Sequence, residues 1–316
     1  MNFQQLRIVR ETVRQDFNLT TVANTLFTSQ PGVSKHIKDL EDELGIEIFV
    51  RRGKRLLGLT EPGKELLAVV ERILLDAQNV RHIADHFSSR ESGNLVIATT
   101  HTQARYALPE VIKAFKSEYP RVHLLLHQGS PKEIAELVVA GEADIAIATE
   151  SLANATELVS FPYYSWHHAV VVPASHPLAE RREVSLAEIA DYPIVTYHEG
   201  FTGRANIDRA FVDAGLVPDI VLSAIDADVI KTYVGIGLGV GIVAAMAYDP
   251  ERDQDLRRID VPGLFAPNTT RLAIRRGAYL RSFAYALIDK LIPGLTEQKI
   301  AEALRNETLG GSDFVI

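Results

Sequence analysis

From residue 61 to residue 87 apolar side chains return every three or four positions, at Leu66, Val69, Val70, Ile73, Leu74, Ala77, Val80, Ile83, Ala84 and Phe87. That is the pattern of one uninterrupted amphipathic helix. At 1.5 Å per residue it would be about 39 Å long. The sixty residues before it are too few to cover such a stripe, so the helix is expected to pair with the same helix of a second copy. His82 and His86 lie four apart on it, and with no third ligand close by they read as solvent-facing, not as a metal site.

The residues ahead of that helix read as three shorter ones and a hairpin. Phe3, Leu6, Val9 and Val13 keep helical spacing. Cap-type residues at 18–21 precede a short helix over 22–27, whose Ala23 is small enough for another helix to cross closely. Ser29, Gln30 and Pro31 then open a third, since proline in a first turn loses no hydrogen bond. Val33, Ile37, Leu40 and Leu44 form its buried stripe, leaving Gln30, Ser34, Lys35 and Lys38 outward. Two short helices joined tightly, the second showing amide, hydroxyl and ammonium groups, have the organisation of a helix-turn-helix that enters the DNA major groove. Gln30 and Ser34 suit base edges, and Lys35 and Lys38 suit phosphate. Residues 46–50 and 56–60 then read as two strands around the basic turn Arg51, Arg52, Gly53, Lys54, Arg55, which is a wing. Alone, such a turn is as well explained as a solvated tip; beside a helix pair it reads as a phosphate contact.

The net charge is −8, with about +2 over residues 1–60 and about −10 over the remainder. An acidic total does not exclude DNA, because what matters is a local basic surface. There is no cysteine, which excludes disulfides, thiolate metal sites and cysteine nucleophiles. No apolar run approaches a membrane span and no leader is evident, so a cytoplasmic protein is expected.

Beyond the polar stretch 88–93 the period changes. Apolar runs at 95–98, 122–126 and 143–148 alternate with helical stretches to 115 and to 140, which argues for parallel βαβ units. A second α/β unit has strands near 169–172, 194–196 and 220–222, and the run 271–275 returns to the first unit. Two lobes imply a cleft. Ligands of open α/β sheets sit beyond the carboxyl ends of the strands, where Thr100, Thr102, Gln103, Gln128, Ser130, Thr149 and Thr202 fall. Each alone reads as a helix cap. Together, hydroxyls, amides and helix N-terminal N–H groups can bind a compact dianion such as sulfate, thiosulfate or a sulfated nucleotide without a counter-charge.

Catalytic signatures are missing. The glycines at 235, 237, 239 and 241 never give Gly-x-Gly-x-x-Gly and follow a helix, so they read as a helix-to-strand connection. No nucleophile elbow, zinc-peptidase helix or phosphate-binding loop occurs. Asp226 and Asp228 precede a helix and read as caps.

The run from Ala23 to Leu44, with Gly45, Phe49, Thr60 and Gly63 after it, resembles the DNA-binding motif of LysR-type transcriptional regulators. Residues 98–106, Thr149 and Glu150, 201–204 and 226–233 resemble the CysB/Cbl subgroup; the basic wing, residues 166–168 and the short C-terminus lean to its Cbl side, while residues 128–131 and 201–204 look more like its CysB side. The resemblance runs from Met1 to about Leu295. It implies that Thr100, Thr102, Gln103, Thr149, Trp166 and Thr202 line an effector cavity, and that the genes regulated concern sulfur assimilation or sulfonate use. Candidate effectors are sulfate, thiosulfate, O-acetylserine or N-acetylserine, and adenosine phosphosulfate; no cofactor or metal is expected. For His167 and His168, packing or solvent is the expectation.

The expected fold is therefore an N-terminal winged helix-turn-helix (1–60), a linker and dimerisation helix (61–88) and a two-lobed α/β, periplasmic-binding-protein-like effector domain (89–316). Lobe I covers about 94–162 and 268–295, and lobe II about 163–267. Expected partners are double-stranded promoter DNA, further copies of the chain (a homodimer through the linker helix, then a homotetramer) and RNA polymerase. A soluble solute-binding protein or enzyme on the same cleft, with residues 1–88 serving only assembly, is the alternative. It would lack specific, salt-dependent DNA affinity.

Overall fold

The structure is a computed structural model that describes residues 1–53, 55–88, 92–181 and 183–305, with side chains other than those of 82, 85–88 and 305. Lys54 and the side chains of His82, His86 and Phe87 therefore lie outside the described residues. Two compact units are present, Met1–Ala84 and the chain from Asp85 onward.

In the first unit α1 (Phe3–Arg14) is capped by a reciprocal pair, Asn2 and Gln5. Asn18 caps α2 (Leu19–Thr25), and Ser29 caps α3 (Gln30–Leu44), which ends at Gly45 in the left-handed conformation. Ile8, Val9, Val22, Val33, Ile37 and Leu40 meet in one core with Ile48 and Phe49. Leu44 corrects the expected stripe: it is exposed, and Glu41 is buried in its place. The reason is polar satisfaction. The Glu41 carboxylate accepts the N–H groups of Ile48 (2.9 Å) and Phe49 (3.2 Å), where the chain enters the wing. The wing strands are accordingly shifted to β1 (Phe49–Arg52) and β2 (Arg55–Leu59), with the turn at Gly53. Leu6 of α1 packs on Val70 and Leu74 of the long helix α4 (Glu61–Ser88).

The second unit holds two five-stranded sheets. The first has the order β4-β3-β5-β12-β6: β4 (Val122–Gln128), β3 (Gly93–Thr99) and β5 (Ile145–Ala148) run parallel, and β12 (Asn268–Arg275) is antiparallel to β5 and to β6 (Leu158–Trp166). Between β3 and β4 the expected single helix is broken into a π-turn over Gln103–Ala107 and α5 (Pro109–Glu118). Pro109 causes the break, because it has no N–H to continue the ladder. Helix α6 (Pro131–Ala140) follows, closed by Ser130 and Glu133 as a capping box. Residues 122–128 form one strand, so Gln128 belongs to β4 and not to the loop.

The other sheet has the order β11-β7-β10-β8-β9: β11 (Leu256–Asp260), β7 (His168–Pro173), β10 (Val240–Ala244), β8 (Ile194–Tyr197) and β9 (Ile220–Ala224). Helices α7 (Leu186–Ala190), α8 (Arg204–Asp213) and α9 (Ala227–Gly235) belong to this lobe. The glycine-rich stretch after α9 does lead into a strand, and Gly239 lies so close to Pro193 O that a Cβ would overlap it. The chain passes between lobes at His167 and again between Pro267 and Asn268. The last helices, α10 (Ser282–Leu291) and α11 (Glu297–Arg305), cover the first sheet, where Phe283, Leu287, Ile300 and Leu304 join Phe115 and Ile145 in the core. Each such side chain contributes about 1.5–3 kcal/mol by leaving water. Among the described residues no helix is long and apolar enough to cross a membrane.

Candidate functional site

Two places in the fold gather the expected residues. The first is the outer face of α3 with the wing. Gln30, Lys35 and Lys38 are exposed, and Gln30 Nε2 donates to Ser34 Oγ at 3.1 Å, so the two candidate base-reading side chains form one polar strip. Ser29 is engaged as the cap, its hydroxyl accepting from Gly32 N at 3.3 Å, and Pro31 lies exposed in the first turn. Arg52 and Arg55 are exposed and face each other across the hairpin. Arg51 differs, because its guanidinium reaches back 2.5 Å to the buried Glu41 carboxylate and so ties the wing to α3. Its part in holding the unit together was not visible from the charge run.

The second place lies between the lobes of the other unit. Thr100, Thr102 and Gln103 follow β3 and are buried, and Thr202 precedes α8 and is 3% exposed. Thr102 and Thr202 bring their hydroxyls within 3.4 Å of each other across the lobes. Thr202 has φ +45°, a backbone region that β-branched residues rarely occupy, and so the surrounding contacts must hold it there. Thr149 lies 3.5 Å from Thr270, hydroxyl to hydroxyl, and the indole of Trp166 donates to the same Thr270 at 3.0 Å. Trp166 thus acts on the cluster through Thr270. Gln103 accepts the hydroxyl of Tyr164 at 2.6 Å, and burial pushes that phenol up to about 12. Two expected residues stand apart from these contacts. Gln128 is exposed at the end of edge strand β4, and Ser130 is occupied in its capping box with Glu133.

The cluster also contains residues not anticipated. Glu150, next to Thr149, accepts the backbone N–H of Gly203 at the start of α8, while its Oε2 is buried without a partner. Burial raises this carboxyl above the usual range. Nδ1 of His101 is likewise buried and unpartnered. His168 is fully buried: its Nε2–H donates to Thr202 O at 3.0 Å, and its Nδ1 faces Asn268 Nδ2 at 3.4 Å. Burial lowers it to about 4, so the ring is neutral. Gly203 has φ +71°, and a Cβ there would strike the side chain of Asn268, so only glycine fits. Glu150 and Gly203 lie beside Thr149 and Thr202 in two of the runs that carry the subgroup resemblance, but no role was read for either. A further contact joins the lobes, since Arg105 (3.2 Å) and Tyr106 (2.8 Å) both donate to Asp228 of α9. Asp228 is thus an inter-lobe acceptor, and Asp226 alone caps the helix, through Val229 N at 2.9 Å. Among the described residues no group of three or more His, Cys, Asp or Glu is placed to hold a metal.

The chemistry of the two places is different: a polar and basic protein surface on one unit, and an enclosed set of hydroxyl and amide donors on the other. Known families show the same pairing. The model for bacterial regulatory helix-turn-helix proteins of the lysR family matches residues 3–64, and the model for the LysR substrate binding domain matches residues 88–295. This chain belongs to the LysR family. Among its relatives, the HTH-type transcriptional regulator SsuR of Burkholderia cenocepacia is 61% identical over 305 residues, covering 96% of this chain and 99% of that one. The HTH-type transcriptional regulator cbl of Escherichia coli is 54% identical over 316 residues, covering 100% of both. A crystal structure of the cofactor-binding domain of the Cbl transcriptional regulator superposes with a TM-score of 0.65 at 49% identity, covering 67% of this chain and 93% of that one. The resemblance read from the sequence is therefore correct at the level of family and subgroup. This LysR-family protein is a DNA-binding transcriptional regulator, not an enzyme, with a helix-turn-helix unit and a two-lobed effector domain.

Proposed function

We propose that this regulator controls genes of sulfur assimilation or sulfonate use in response to a small sulfur-linked anion taken between the lobes. The observation that carries the reading is the facing of Thr102 and Thr202 across the cleft, with Thr100, Gln103 and Thr149 beside them. Fixed hydroxyl and amide donors near the start of α8 replace the water around a compact dianion such as sulfate or thiosulfate. The relatives named SsuR, CysB and cbl support the sulfur assignment. O-acetylserine, N-acetylserine and adenosine phosphosulfate are the other candidates.

In this reading residues 1–60 bind promoter DNA, 61–88 link and dimerise, and 89–316 sense the effector. Gln30 and Ser34 read bases, while Lys35, Lys38, Arg52 and Arg55 hold phosphate. Lys54 carries the same expectation. Two dimers form a cytoplasmic tetramer on an extended site, and the effector favours one lobe arrangement over another, altering the DNA bend and access for RNA polymerase. Calorimetric titration of the full chain with each candidate, repeated with Thr100→Ala and Thr202→Ala, tests the sensor. Saturable binding of one ligand, weakened at least tenfold by both substitutions, is the expected outcome; no heat from any candidate would sink the sulfur assignment.

A further inference from the structure

Glu150 is a carboxylate in a place read as an anion site. It follows β5 beside Thr149, and its Oε1 accepts the N–H of Gly203, the residue after Thr202. Both ends of this contact therefore adjoin residues of the hydroxyl cluster. Its Oε2 is buried and has no partner. An ionised carboxylate has only acceptors. Sulfate and thiosulfate also have only acceptors at neutral pH, so a bound dianion and an ionised Glu150 would face each other with no hydrogen between them.

Among the described residues, the cations of the neighbouring elements are engaged by other partners, Arg105 by Asp228 at 3.2 Å among them. Arg204 of α8 is held by Tyr197 O and by Asp208 at 2.7 Å. Arg271 of β12 donates to Ser160 at 3.0 Å. On β7, His168 is neutral between Thr202 O and Asn268. Lys231 of α9 is taken by Asp253 at 2.8 Å and by Ala247 O. His101, with Nδ1 buried and unpartnered, is a further titratable group of the cleft, beside the phenols of Tyr164 on Gln103 and Tyr197 on Thr102. A proton on Oε2 resolves the conflict. It removes one buried negative charge and turns an orphan acceptor into an O–H donor to the anion, a short, charge-assisted hydrogen bond.

We propose that Glu150 enters the anion complex protonated, so that the cleft takes up one proton from solvent with each dianion it binds and selects compact dianions through that added donor. The inference rests on the reading of the cleft as an anion site. Burial, which already pushes this carboxyl upward, acts in the same direction.

The test is calorimetry on the full chain with sulfate and thiosulfate, both doubly charged throughout, from about pH 6 to about pH 8.5 and in buffers of different ionisation enthalpy. The wild type is expected to take up one proton and to lose affinity by about tenfold per pH unit at the alkaline end. Glu150→Gln, which supplies an N–H in place of the O–H, should bind with affinity constant within about twofold over the range and tighter than wild type at its top. His101→Asn should keep the wild-type slope. Proton-free binding by the wild type, an unaltered slope in Glu150→Gln, or loss of the slope in His101→Asn would each overturn the proposal. A wild type that binds neither anion at any pH removes the anion site itself, and this proposal with it.

Discussion

Asn268 presents a side-chain N–H to Nδ1 of His168 across 3.4 Å, joining the two points at which the chain passes from one lobe of the effector domain to the other. Asn268 Oδ1 in turn accepts from Asn206 of α8 at 2.8 Å, and His168 donates from Nε2 to Thr202 O at 3.0 Å. The acceptor at one nitrogen and the donor at the other fix a single neutral tautomer. An imidazolium would set its Nδ1–H against the side-chain N–H of Asn268.

The first expectation is a stability that declines in mild acid. Burial holds His168 near 4 in the folded protein, against an ordinary value of 6.5 once unfolded. The unfolded chain therefore binds the proton first, and the stability present above about pH 6.5 is lost as the pH falls towards about 4. The full difference is on the order of 3 kcal/mol. Thermal unfolding of wild type and His168→Gln across this window checks it. The variant should begin less stable and lack this component of the acid dependence; equal slopes would refute the assignment.

The basic wing should separate into two functional classes. Arg52→Ala and Arg55→Ala, exposed and facing each other, are expected to lower the slope of log affinity for DNA against log salt by about one each, with unchanged melting. Arg51→Ala and Glu41→Ala break the tie between wing and α3. Glu41→Ala also strands the Ile48 and Phe49 N–H groups and should cost about 1–3 kcal/mol. Filter binding over a salt series, paired with unfolding, distinguishes the classes.

Helix α4 leaves apolar side chains in water within one chain: Val80 is 65% exposed and Ile83 39%. If these face a second copy, Val80→Glu with Ile83→Glu should convert the protein to monomers and weaken binding to a two-half-site operator by at least about a hundredfold, the loss of linkage between two sites. Sedimentation reads the assembly state. An unchanged sedimentation coefficient would place the dimer contact elsewhere.

The donation of Tyr106 and Arg105 to Asp228 gives a handle on the lobes. Tyr106→Phe should lower the melting temperature of the effector domain by about 2–4 °C, for a loss of about 1 kcal/mol at this partly exposed carboxylate. Asp228→Asn should do the same. Hydrogen exchange in residues 101–107 and the first turn of α9 should quicken in both variants. Protection equal to wild type would show that the contact does not hold the lobes.

Most of the architecture was legible because it follows from period and caps. Asn18, Ser29 and Ser130 announce their helices, and the change from helical spacing to strand–helix alternation near residue 93 marks where α4 gives way to sheet. What escaped were decisions made by distant partners. Leu44 has the right spacing for the core and is outside, because Glu41 has to meet two N–H groups of the wing. Strand β11 and helix α11 were not anticipated, since short apolar runs do not reveal which core they will join. The hydroxyls of the cleft could be picked out by their place after strands. Glu150 and His168 could not, since a lone carboxylate or histidine gains meaning only when its hydrogen-bond partners, 53 and 34 residues away, are known.

Two crossings, one at His167 and one at Pro267, join the lobes of the effector domain, and if the lobes move they are placed as a pair of hinge pins on a door. Thr202 is tied through His168 to one of these pins, and so the proposed ligand would push there on the short arm of a lever. A sub-ångström adjustment near the axis would then become a larger displacement at the far rims of both lobes. Such a device would gain reach at the expense of force, and under the proposed function it would turn the arrival of an ion a few ångströms wide into a change of outline on the scale of the whole domain.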